Sequence, residues 1–112
     1  MTDNSSQLDL ILHELDEMQA LEIKVIDVKE QTSVTDYMII ASGRSSRHVK
    51  AIAQSVLEKV KQSGLPPLSA NGLDSGDWAL VDFGDYVLHV MQADTRSFYN
   101  LEGLWEDGGV NK

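Results

Sequence analysis

The chain has 112 residues, enough for one domain with a buried core and too few for two. Its 42% hydrophobic and 24% charged residues are ordinary globular values, which exclude fibrous and wholly disordered classes. Eighteen acids against 9 Lys and Arg leave a net charge of −9, so bare nucleic acid and anionic lipid are disfavoured as partners and a basic protein surface is favoured. Cysteine is absent, which excludes disulfides and thiolate metal sites and permits the cytosol.

Met1 to Ser6 is polar and partly acidic, with no basic stretch leading into an apolar one, and no apolar run approaches the ~20 residues of a membrane span. A cytoplasmic protein without a membrane partner is therefore expected. Leu8, Ile11, Leu12, Leu15 and Met18 recur at helical spacing among Asp9, His13, Glu14, Asp16 and Glu17. They predict a first amphipathic helix, capped by Ser5 or Ser6. The domain is expected over residues 8–107, with flexible tails at 1–7 and at the Gly-rich 108–112.

From Leu21 to Val28 the period falls to two, with Leu21, Ile23 and Val25 set against Glu22, Lys24 and Ile26. That is a half-buried strand. After a polar loop at 29–33, Tyr37 to Ala41 is almost wholly apolar and suits a strand covered on both faces or lying centrally. Ser42-Gly43-Arg44-Ser45-Ser46 then turns into a second helix. Its core stripe is Val49, Ile52, Ala53, Val56, Leu57 and Val60, and Gly64 with Pro66-Pro67 ends it. Leu68 to Asn71 reads as a short strand, which makes a parallel crossover.

Gly76 to Gln92 organises the rest. It reads as two strands joined at Gly84-Asp85, whose leading glycine suits a type II′ turn. A two-residue loop sets the register: Phe83, Val81 and Ala79 oppose Tyr86, Leu88 and Val90 on one apolar side, which must be core. The other side pairs Asp82 with Val87, Leu80 with His89, and Trp78 with Met91. Too apolar for a solvated face and too polar for a buried one, it has the character of a surface that meets a partner. A last helix from about Asp94 or Thr95 aligns Phe98, Leu101 and Trp105, with Tyr99 close by. These aromatics read as core more readily than as contact. The sum is an α/β single domain, a mixed sheet of about five strands with flanking helices.

Two constellations carry chemistry. The candidates for partner binding are Trp78, Leu80, Asp82, Asp85, His89 and Met91 on the hairpin, with Tyr99, Leu101 and Trp105 on the last helix. Arg44, Arg47, His48 and Lys50 crowd the positive end of the second helix, where cations are mildly destabilising, and are candidates for contact with an anion such as an RNA phosphate. The competing reading of that turn is a plain helix cap, and of His13 and His48 a solvated surface. Asp36, Asp82, Asp85 and His89 are weak as a metal or acid–base set, because only Asp82 is well placed on the open hairpin face.

Five segments resemble one known family. They are Thr35 to Gly43; Ser45-Ser46-Arg47-His48-Val49; Asp77 to Asp85; Val87-Leu88-His89-Val90-Met91; and Arg96 to Trp105. Their residues and separations are similar to the iojap, or ribosomal silencing factor (RsfS), family, over roughly residues 8–107. The resemblance implies a nucleotidyltransferase-like fold without catalysis and without a cofactor. It implies binding to the large ribosomal subunit through the ribosomal protein numbered fourteen, on the intersubunit face. That position blocks joining of the small subunit and lowers translation in stationary phase or starvation. The alternative is a nucleotidyltransferase-like enzyme, whether degenerate or active. It would need paired carboxylates on the strand after the second helix, and Leu68 to Asn71 has none. A homodimer of the free chain is a third expectation, since the hairpin face could pair with itself.

Overall fold

The computed structural model describes residues 4–33, 35–64, 67–101 and 103, with side chains from residue 7 onward. Apolar residues at three- and four-residue spacing build α1 (Asn4–Glu17), in which Ile11 and Leu15 are fully buried. The helix starts earlier than the first apolar repeat. Ser5 and Ser6 lie inside it instead of capping it, and residues 4–7, expected as tail, are helical. Gln19, at φ 60, turns the chain into β1 (Leu21–Asp27).

The apolar run forms β2 (Tyr37–Gly43), buried from Met38 to its end. In α2 (Ser46–Gln62), the hydroxyl of Ser45 accepts the His48 N–H at 3.2 Å and caps the first turn. Ser63 closes the helix and Gly64 follows at φ +97, a conformation glycine adopts without strain. Pro66, expected to help end the helix, lies outside the described residues. The remaining elements are β3 (Ser69–Asn71), β4 (Trp78–Asp82), β5 (Tyr86–Gln92) and α3 (Ala93–Tyr99).

The strands make one mixed sheet in the order β1-β2-β5-β4-β3. Only β2 and β5 run parallel; the other neighbours are antiparallel. The hairpin register is the one that a two-residue loop demands, with Trp78 opposite Met91, Leu80 opposite His89 and Asp82 opposite Val87. The crossover through α2 therefore does not join neighbours. It carries the chain from β2 past two sheet positions to the far edge, and the hairpin then fills the gap.

One face of the sheet is covered by α1 and α2. Ile39, Ala41, Ala79, Val81, Phe83, Tyr86, Leu88 and Val90 pack there against Ile11, Leu15 and the α2 stripe. The opposite face holds a smaller cluster of Ile26, Val28, Met38, Ile40 and Met91, with Trp78 and Leu101 packed against it. β1 contributes to both faces by the alternation expected, with Ile23 and Val25 on the side of Ile39, and Lys24 and Ile26 on the side of Ile40 and Met38. A register shift between Leu21 and Lys24, with Glu22 at φ 49, sets Leu21 apart, opposite Ser42. Ile23 packs with the helices and Ile26 turns to the second cluster, while Val25, on the sheet edge, stays 38% exposed.

Candidate docking surface

The second face is where the sequence placed a partner. The structure divides its residues by accessibility. Met91 has no exposed surface and His89 is only 6% exposed; Trp78 and Leu101 pack against the apolar cluster to which Met91 belongs, and the Trp78 ring lies beside that of His89. Neither can touch a partner, which corrects the sequence expectation for both. Trp78, Leu80 and Asp82 remain half-buried, Asp85 is exposed, and Leu101 is half-buried. Trp105 lies outside the described residues.

The indole of Trp78 is held on two sides. Its Nε1–H donates to His89 Nδ1 at 3.0 Å, and its ring lies 4.7 Å from that of Tyr99 at an angle of 52°. Phe98 meets Tyr99 edge-on, with centroids 5.0 Å apart. Exposure rises along this run: Trp78 is half-buried, Tyr99 54% exposed and Phe98 81% exposed. Phe98 and Tyr99 are therefore surface, contrary to the core reading.

Three local contacts hold the platform. Arg96, buried, donates from Nη1 to Ser42 Oγ at 2.9 Å and ties α3 to the end of β2. Asn100, left-handed at φ 50, donates its N–H to the Arg96 carbonyl at 2.8 Å, which ends α3 and brings Leu101 to the cluster. Phe98 and Leu101 are thus not on one continuous helix, as the spacing had suggested. Gln92 Nε2 donates to Asp77 Oδ1 at 3.0 Å, and the Gln92 N–H donates to the Asp77 carbonyl at 3.2 Å, next to Trp78. A buried arginine and a helix break carry no periodic signature, and sequence reasoning missed both.

The carboxylates do not gather. Asp82 Oδ1 accepts the Gly84 N–H at 2.8 Å and so braces the hairpin turn, while the Asp85 side chain is exposed. His89 is bonded to Trp78, not to Asp82. Burial holds its ring down to about 4, so it is neutral at physiological pH, with the proton on Nε2. Among the described residues, no three His, Asp or Glu side chains stand close enough to hold a metal ion. None of the described helices is long and apolar enough to cross a membrane.

Just past the C-terminal end of β2, where Ser42 meets Arg96, Arg44 and Arg47 are exposed and Lys50 is half-buried. His48 differs from them. Its Nδ1 accepts the Arg44 N–H at 2.9 Å, and its Nε2 lies 2.9 Å from the Met18 carbonyl, to which it donates. It ties the turn to the end of α1 and is neither a solvated ring nor available to an anion, contrary to expectation. The helix-cap reading of this turn holds at Ser45.

The family described as "Ribosomal silencing factor during starvation" matches residues 2–112. A Zymomonas mobilis protein named "Ribosomal silencing factor RsfS" is 45% identical over 90% of this chain and 76% of its own length. The mouse protein "Mitochondrial assembly of ribosomal large subunit protein 1" is 37% identical over 88% of this chain, which spans 44% of that longer protein. A crystal structure of a Chromobacterium violaceum protein superposes with a TM-score of 0.91 at 37% identity, covering 99% of this chain and 91% of that one.

Proposed function

The chain belongs to the ribosomal silencing factor family, and on that premise we propose that it represses translation by docking on the large ribosomal subunit and keeping the small subunit from joining. The observation that carries the reading is the family match across residues 2–112. The mouse relative is named for the large subunit, which favours that subunit as partner. The open aromatic run Trp78, Tyr99 and Phe98 supplies the kind of anchor that dominates protein interfaces, with Leu80, Leu101, Asp82 and Asp85 around it.

The direct partner is the ribosomal protein numbered fourteen, on the intersubunit face. A net charge of −9 complements a basic ribosomal protein. Arg44, Arg47 and Lys50 form a local cationic edge that meets ribosomal RNA phosphate beside it. The protein acts in the cytoplasm, by steric occupation and not by turnover.

Sedimentation with separated subunits tests this. The chain should co-migrate with the large subunit alone, and joined ribosomes should disappear as it is added. Co-migration with the small subunit alone would overturn the mechanism.

A further inference from the structure

A histidine in the middle of a sheet needs a reason. His89 stands on the central strand, between Ile40 of β2 and Leu80 of β4. Both neighbours are aliphatic, and an aliphatic residue there would bury more cheaply. A ring that is 6% exposed loses hydration at a polar nitrogen, a cost that is offset only if that nitrogen is bonded. The bond it makes is to Trp78, its diagonal neighbour on β4, at 3.0 Å.

We propose that His89 is the positioning residue of the docking surface: it takes the one N–H of the Trp78 indole, fixes the ring against Tyr99, and leaves the partner a hydrocarbon face to cover. An exposed tryptophan ordinarily keeps its N–H for water or for a partner's acceptor. Here the donor is spent inside the protein. The site that receives Trp78 is therefore apolar, with no hydrogen-bond acceptor needed opposite the indole nitrogen. Fixing the ring beforehand also removes the ordering cost that a mobile anchor would carry on binding. Because the ring stays neutral down to about pH 4, Nδ1 is an acceptor throughout the physiological range. His89 thus acts without touching the partner, which its burial forbids.

The inference rests on the docking reading above, and two measurements separate their failures. In the first, His89→Leu and His89→Asn are compared for large-subunit binding, each in the native and the Trp78→Phe backgrounds. Asparagine places its side-chain oxygen where Nδ1 stands, so it can still accept the indole proton. His89→Leu should weaken binding about tenfold when Trp78 is present and less than about twofold after Trp78→Phe, with His89→Asn close to the native protein. Equal losses in both backgrounds would mean that His89 only packs, and would overturn the proposal.

The second measurement needs no ribosome. Hydrogen exchange at the Trp78 indole, assigned by its loss in Trp78→Phe, should be slow in the native chain and in His89→Asn, and fast in His89→Leu. Unchanged exchange in His89→Leu would overturn the proposal even if docking were established. Loss of protection with no large-subunit binding by the native chain would uphold the positioning role and overturn the docking reading alone.

Discussion

Trp78 sits between the two textures a residue can have on this face. Most of its surface is covered, with Tyr99, His89 and the second apolar cluster against it, and the remainder is open. Trp78→Ala should therefore cost about 1–2 kcal/mol of stability, less than a core tryptophan and more than an ordinary surface change. Its cost to large-subunit binding should be larger, roughly 2–4 kcal/mol, as for central aromatic anchors. Urea midpoints and subunit titrations on this one variant give both numbers; a stability loss that exceeds the binding loss would mean that Trp78 serves the fold. The buried ring beside it makes a separate prediction. Burial lowers the His89 pKa from 6.5 to about 4, so between those values the unfolded chain takes up a proton that the folded chain refuses. Stability from this group is complete above about pH 6.5 and declines as pH falls toward 4, by on the order of 3 kcal/mol. His89→Asn cannot titrate, and the carboxylates are the same in both proteins. The native urea midpoint should thus fall more steeply than the variant's between pH 7.5 and 4.5, and parallel curves would refute the assignment.

At the scale of elements, what the sequence revealed depended on whether a local pattern had a competitor. The β4–β5 register was legible to the residue, because two loop residues and one apolar side leave no alternative pairing. The α2 stripe was legible for the same reason, with Val49, Ile52, Ala53, Val56 and Val60 all buried. β1 was legible from Ile23 onward, and only its bulge, which sets Leu21 opposite Ser42, leaves no mark in composition. α3 was misread because Asn100 breaks it, and only the fold shows that Arg96 reaches Ser42. The approach to β4 is a further case. Gly72 stands at φ +78, and a Cβ there would lie 2.0 Å from the Trp78 carbonyl oxygen. Neither the conformation nor the space admits a side chain, and the obstacle is backbone, which cannot swing aside. Gly72→Ala should cost more than about 2 kcal/mol and should weaken docking in the surviving folded fraction, because the strand that carries Trp78 must shift. A variant with native thermal stability would show that this turn is softer than its geometry.

The whole molecule adds what no element contains, a net charge of −9, beside the aromatic run of Trp78, Tyr99 and Phe98 at the proposed docking surface. That separation assigns different physics to the two halves of binding. In the proposed docking, the field of the whole chain acts before contact, drawing it toward a basic ribosomal protein, and salt screens that field within about 8–10 Å at physiological strength. The aromatic contacts act only after water is expelled, and apolar burial is little affected by moderate salt. Association should therefore slow by about tenfold between ~50 and ~500 mM salt while dissociation changes less than about twofold. The charge was legible from composition, but the separation was not. It required knowing that Met91 and His89 are buried while Phe98 and Tyr99 stand exposed. Arg44, Arg47 and Lys50 allow a check from the same data. If that edge meets RNA, replacing all three with alanine should reduce the salt dependence of the equilibrium constant and leave binding to the isolated ribosomal protein unaltered. An association rate indifferent to salt, in the native chain, would mean that apolar contact alone governs encounter and that the acidity of this protein serves its solubility and nothing more.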